Sequence, residues 1–393
     1  MRQWHILLGL LISHMVMVPV FSWGAPGGPV YIGLDAEFGR ATSTADDAIK
    51  QGILIAIDEI NRTGGVLGGL KLALIEKDNR SVPARAAQNT KELAENRNVV
   101  AMFCGRFSTV VIETIETVHK LGIPLLDPWA SSDRLVDNGH TPNYVFRLSL
   151  RDSWAVPAML TYAKSRGYKN IGVFVPNVSW GRGNFELLKK LVPAYGMRIA
   201  ETQWFNYGET SFLDKYLRLK RSGADAVIIA TSETEGALLI KEIASLPKRE
   251  RLPLISHWSI SGSDFSALTG PALYQVDLAV VQTYSFFDTK RKAAAKVLEG
   301  ARRLFGKSSA NEILSPVGLA HAYDLTHILA CAIDLAGTTD RKAVRTALEK
   351  VTNYDGLIKF YKQPFSVTRH DALSQDEVFM ARYATNGTLV RIK

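Results

Sequence analysis

The sequence predicts an α/β protein made of two doubly wound parallel-sheet lobes joined by a multi-strand hinge. Three observations predict it. Strand-like apolar runs alternate with helical apolar stripes from Val30 onward, the order of a parallel sheet whose crossovers are helices. The alternation breaks at the polar Arg151-Asp152-Ser153 and then restarts. The 393 residues also suffice for two separate apolar cores.

Val30–Leu34 reads as the first strand, and a helical stripe then runs from Ile49 through Ala56, Ile57 and Ile60. Asn61 to Gly69 carries four glycines, a helix stop that turns tightly into the strand Leu70–Ile75. Next come a helix over 83–96 with Pro83 in its first turn, a strand Val99–Phe103, and a helix over 108–120. The strand Ile123–Leu126 ends at Asp127-Pro128-Trp129-Ala130-Ser131-Ser132, and Tyr144–Leu148 leads into the first crossing. The second run reads helix 154–166, strand Ile171–Val175, helix 181–191, strand Ile199–Trp204 and helix 212–221. It continues through Ala226–Ala230, Glu233–Ala244, Leu252–Ser256 and Leu278–Gln282 to a second crossing at Tyr284–Phe287. Helices at 290–305, 316–335 and 341–351 follow, then a strand-like tail at 357–360, 378–384 and 389–392. The expected division is a leader at 1–24, a first lobe at 27–149 and a second at 150–283. Residues 284–355 return to the first lobe, and 356–393 return to the second with the C-terminal tail.

The ends and composition restrict function. A cationic start, an apolar run from Ile6 to Phe21 and the small residues Ser22 and Gly24 match a cleaved secretory signal peptide. A membrane anchor is the alternative, disfavoured by Ser13, His14 and Pro19 within the run. The net charge of +9 comes from Lys and Arg interspersed with Asp and Glu, with no basic block interleaved with aromatics, so nucleic acid is not expected. The two cysteines, Cys104 and Cys331, both fall in apolar surroundings and read as buried free thiols rather than a bridge.

No enzymatic constellation emerges. There is no G-x-S-x-G elbow, no H-E-x-x-H and no cysteine–histidine spacing for a metal. Gly306-Lys307-Ser308 ends like a phosphate loop, but Ala301 stands where the first glycine belongs. Hydroxyls and aromatics do recur at strand-to-helix junctions. Ser108 sits at an expected helix N-cap, where capping alone explains it and where a ligand carboxylate would also be stabilised. Ser131, Trp180, Thr231 with Ser232, and His257-Trp258 occupy the following junctions, the set expected of a stacking pocket between lobes.

On these residues the chain resembles the type I periplasmic solute-binding proteins of ABC transporters, in particular the branched-chain amino-acid (Leu/Ile/Val) binding family. The resemblance rests on Ala56-Ile57-Asp58-Glu59-Ile60-Asn61-Arg62-Thr63-Gly64-Gly65-Val66-Leu67-Gly68, with support from Phe107-Ser108-Thr109, Gly122-Ile123-Pro124, Ala130-Ser131, Trp180-Gly181 and Ala322-Tyr323-Asp324. It implies a non-enzymatic, monomeric, cofactor-free periplasmic receptor that takes a small molecule between its lobes and delivers it to ABC permease subunits in the inner membrane. It also implies that Ser108, with backbone near Trp129 and Ala130, holds the ligand carboxylate, that Ser131 helps with an amino group, and that Trp180 covers the ligand. Thr231 falls where amino-acid binders commonly have Tyr, and Trp258 where they have the ammonium-binding acid. An unpaired buried ammonium costs several kcal/mol, on the order of 3–5, whereas a tryptophan returns about 0.5–2 kcal/mol. The expected ligand is therefore a small carboxylate with an apolar or aromatic body, stacked between Trp180 and Trp258 and shaped by Phe107 and Tyr284, with Asp35 or Glu37 as a replacement charge partner. The rival readings are a sensor of the same fold and an exported α/β hydrolase.

Overall fold

The computed structural model describes residues 28–39 and 44–392; the expected leader lies outside them. The first sheet is built from β1 (Val30–Ala36), β2 (Leu72–Asp78), β3 (Val99–Cys104), β4 (Leu125–Asp127) and β5 (Val145–Arg147). These strands are all parallel, in the order β2-β1-β3-β4-β5. Their crossovers are α1 (Ala45–Arg62), α2 (Pro83–Glu95), α3 (Ser108–Ile112) and α4 (Ile115–Leu121). The glycine turn after α1 has Gly65 at φ 77°, where a Cβ would lie 2.1 Å from the Leu70 carbonyl. No other side chain fits there. Asn61 clamps the turn to β2: its Oδ1 accepts from the Leu72 N–H at 2.8 Å and its Nδ2 donates to the Leu72 carbonyl at 2.9 Å.

The second sheet follows α5 (Asp152–Ser165). It comprises β6 (Asn170–Pro176), β7 (Arg198–Phe205), β8 (Ala226–Ile229), β9 (Leu254–Ser256) and β10 (Leu278–Gln282), linked by α6 (Ser179–Leu191), α7 (Leu213–Arg221), α8 (Glu233–Ser245) and α9 (Phe265–Thr269). The chain then supplies α10 (Lys292–Phe305), α11 (Pro316–Ala336) and α12 (Arg341–Leu348). Helix α11 packs along α1 so closely that a Cβ on Gly52 would lie 2.2 Å from the Leu319 carbonyl. A hairpin of β11 (Tyr354–Asp355) and β12 (Phe360–Tyr361) follows. Finally β13 (Phe379–Tyr383) and β14 (Leu389–Arg391) join the second sheet antiparallel, in the order β14-β13-β10-β9-β8-β6-β7.

The structure corrects several local expectations. The helix expected over 108–120 is two, α3 and α4, because the Thr114 hydroxyl donates to the Val111 carbonyl at 2.7 Å at the junction. Residues 357–359 form the bend of a hairpin rather than a strand. Buried Asp324 draws the Leu357 and Ile358 N–H groups to its carboxylate at 2.6 and 3.0 Å. Cys331 is exposed on α11, while Cys104 is buried, and both are free.

Candidate functional site

The loops beyond the carboxyl ends of β1–β4 face those beyond β6–β9 across a cleft, the place where open parallel sheets bind ligands. They enclose a cavity of about 630 Å³, within the usual size of small-molecule sites. Phe107, Ser108, Trp129, Ser131, Trp180 and Trp258 all line it, as does Glu37.

Each of these side chains is held by its neighbours. Phe107, not Ser108, is the N-cap of α3, so Ser108 is the first helical residue. Its Oγ accepts from the Ser132 N–H at 3.2 Å, which leaves the hydroxyl proton to donate elsewhere. Trp180 lies in the first turn of α6 rather than in the loop before it. Its indole N–H reaches Ser131 Oγ at 3.2 Å and Asp152 Oδ1 at 3.3 Å, and its ring meets His257 edge-on at 5.1 Å. Asp152 also pairs with His257 Nε2 at 3.1 Å. Burial works against the Asp152 charge, but the bonds from His257, Ser131 and Trp180 outweigh it and hold the carboxyl below the usual carboxylate range. Trp258 is only 1% exposed, packed against Trp129 at 5.2 Å and His321 at 5.5 Å. It forms a floor rather than a free stacking face. Trp129 rests in turn on α11, where a Cβ on Gly318 would come within 2.9 Å of its ring.

Four of the expected site residues lie outside the cavity wall. Ala130 is fully buried. The N–H groups of Trp129 and Ala130, which the resemblance assigned to a ligand carboxylate, both donate to Asp127 Oδ1, at 3.0 and 2.7 Å. Thr231 is buried beneath the wall, and its carbonyl accepts from Ser259 Oγ at 2.5 Å. Tyr284 packs edge-on to Phe286 at 5.0 Å within the core. Asp35 is buried behind the cavity between Asn79 and Asn89, whose amides donate to it at 3.0 and 2.7 Å. Burial pushes its carboxyl up to about 7, against those two hydrogen bonds.

The cavity also holds charged residues that sequence reasoning missed: Arg80, Arg106, Glu233 and Glu235, together with Tyr207. Arg106 donates from Nη1 to Glu233 Oε2 at 2.6 Å, and its guanidinium stacks over the Phe107 ring at 4.1 Å. Burial opposes the Arg106 charge, yet Glu233, with Asp46 and Glu37 nearby, holds its pKa above the usual value. Asp46 itself is pushed up to about 6 by burial despite Arg106, and accepts the N–H groups of Glu37 and Arg106 at 2.8 and 2.9 Å. Burial raises the Glu235 carboxyl, which accepts from the Ser232 hydroxyl. The only signal in the sequence was position. Arg106 sits two residues before Ser108, and Glu233 directly follows Ser232, but acids opening a helix are also what the helix dipole favours. Among the described residues no group of His, Cys, Asp and Glu is arranged to hold a metal.

A family model described as "Periplasmic binding protein" matches residues 29–388. The chain belongs to the periplasmic binding protein family. Its members are solute-binding proteins, not enzymes, and the branched-chain amino-acid group lies within reach of the sequence itself. The leucine-, isoleucine-, valine-, threonine- and alanine-binding protein of Pseudomonas aeruginosa is 23% identical over 351 residues, 88% of each chain. The periplasmic binding protein type 1 of Bordetella pertussis superposes with a TM-score of 0.82 at 22% identity, covering 93% of this chain and all of that one. A solute-binding protein of an ABC transporter from R. palustris, in complex with 4-hydroxybenzoate, gives a TM-score of 0.78 at 17% identity over 93% and 96% of the two chains. The two doubly wound lobes expected from the sequence are thus the periplasmic binding protein type I fold, with two antiparallel strands closing the second sheet.

Proposed function

We propose that this periplasmic binding protein is exported, captures a small carboxylate with an apolar or aromatic body in its interlobe cleft, and hands it to an ABC permease. The observation that carries the reading is the cavity wall. Phe107, Trp129, Trp180 and Trp258 supply aromatic surface around the Ser108 hydroxyl, which has a proton left to give a carboxylate. The same fold holds 4-hydroxybenzoate in the R. palustris protein. A second reading, an amino-acid-like ligand, is favoured by Glu37 and Glu235 on that wall, since they bring carboxylates to a site that has Trp258 in place of an acid. The P. aeruginosa relative is named for amino acids of this kind.

A thermal-shift panel of 4-hydroxybenzoate, benzoate, leucine and isoleucine on the mature protein separates the two. A ligand at a hundred times its dissociation constant adds about 2.7 kcal/mol of stability. The first reading expects a rise in Tm with an aromatic acid and none with leucine or isoleucine. The opposite pattern replaces it with the second reading.

A further inference from the structure

Arg106 and Glu233 stand on opposite sides of the cleft. Arg106 follows β3 of the first sheet, whereas Glu233 is the first residue of α8 in the second. Their side chains are 7% and 1% exposed and meet at 2.6 Å. Both also line the cavity, so the pair forms part of the wall around any solute. The surroundings are shaped to admit it. A Cβ on Gly262 would come within 3.1 Å of both Arg106 Nη1 and Glu233 Oε2. Beside the pair, the Thr44 N–H donates to the Gly262 carbonyl at 2.9 Å, a second bond between the lobes. Thr109 and Ser179 add a third, hydroxyl to hydroxyl at 3.0 Å.

We propose that the Arg106–Glu233 ion pair is a latch that sets how much of the protein is closed before solute arrives, and thereby the affinity for whatever solute the cleft takes. Opening the cleft parts the two charges and returns them to water. Closing it desolvates both, which is tolerable only when each finds the other, and a lone buried charge penalises the closed form severely. Apparent affinity scales with the fraction of protein already in the competent form. The latch therefore acts on binding through the closed population, over and above any contact its charges make with the solute. It rests on the two-lobe geometry and not on which solute is bound.

The exposed native Cys331 on α11 supplies one labelling site, and Lys190→Cys on α6 supplies the other; Cys104 is buried. Nitroxide labels at the two positions report the distance between lobes by pulsed electron resonance, in buffer without solute. The expected result is a short-distance population in the parent protein. That population falls at least threefold in both Glu233→Gln and Arg106→Gln and is regained when Arg106→Glu and Glu233→Arg are combined. Unchanged distributions in the two single variants overturn the latch, as does a parent protein with no short-distance population. If the exchanged pair fails to fold, the two single variants still decide. The measurement uses no solute, so a negative result leaves the solute reading standing, and a failed solute panel leaves the latch standing.

Discussion

Ser108 is the residue on which the carboxylate reading turns. Its Oγ already accepts the Ser132 N–H, so the bond it offers a ligand is the donation of its own proton. A hydrogen bond to a charged group is worth about 1.5–3 kcal/mol. Ser108→Ala should therefore weaken the compound that stabilises the parent protein by about tenfold or more, each tenfold being about 1.4 kcal/mol. Titration calorimetry with that compound checks it, and unchanged affinity would place the carboxylate elsewhere. Trp180 and Trp258 were legible in the sequence because aromatics at successive strand-to-helix junctions converge in a parallel sheet. Their roles were not. Trp258 is covered by Trp129 and His321, and Trp180 is fixed by Ser131 and Asp152, contacts made by residues distant in sequence. Arg106 and Glu233 are 127 positions apart, and nothing local tells a charge that faces solvent from one that meets a partner across a cleft. Thr231 and Tyr284 fall outside the cavity lining for a related reason. A junction can be read from sequence, but which of its residues points into the cavity depends on the turn of the backbone there.

At the scale of elements, the contact of α1 with α11 makes the sharpest test. Gly52 lets the two helices approach until only hydrogen fits between its Cα and the Leu319 carbonyl. Alanine at an ordinary helical position gains about 1 kcal/mol over glycine. Here the added methyl would meet a backbone oxygen at 2.2 Å, which cannot rotate away. Overpacking of this kind costs about 1–3 kcal/mol, so Gly52→Ala should lower Tm despite its better helix propensity; a rise in Tm would mean that α11 yields freely. The order of strands and helices was legible because period-two and period-3.6 patterns alternate cleanly along the chain. The break between α3 and α4 was not, since a Thr hydroxyl bonding back to Val111 leaves no trace in the periodicity. Nor was the bend at 357–359. Leu357 and Ile358 are apolar like a strand, and only Asp324, more than thirty positions earlier, turns their N–H groups aside.

For the whole molecule, two lobes were legible from the restart of the alternation. The antiparallel direction of β13 and β14 was not, because pairing direction in a short C-terminal run is set by where the chain has already been. The return segment is tied to the first crossing by charge. Arg147 is fully buried and donates from Nε to Asp371 Oδ1 at 2.6 Å, while Arg151 donates to Asp371 Oδ2 at 2.9 Å. The backbone joins the same place, with the Arg147 N–H donating to the His370 carbonyl and the Ala372 N–H to the Arg147 carbonyl, each at 2.8 Å. Burial alone would raise the Asp371 pKa, but Arg147 and then Arg151 pull it below the carboxylate norm. The bound carboxylate thus contributes stability above the unfolded pKa of about 4 and loses it as pH falls through the depressed folded value. Asp371→Asn keeps the shape and leaves Arg147 buried without its counter-charge, a change that costs about 3–5 kcal/mol. Urea unfolding at pH 7 should show the midpoint falling with an unchanged slope, because the surface exposed on unfolding is the same. The gap between variant and parent should narrow as the pH is taken below 4. A gap that persists there would assign the loss to packing around the segment rather than to the ion pair, and an unchanged midpoint at pH 7 would mean that the crossing is held by its backbone bonds alone.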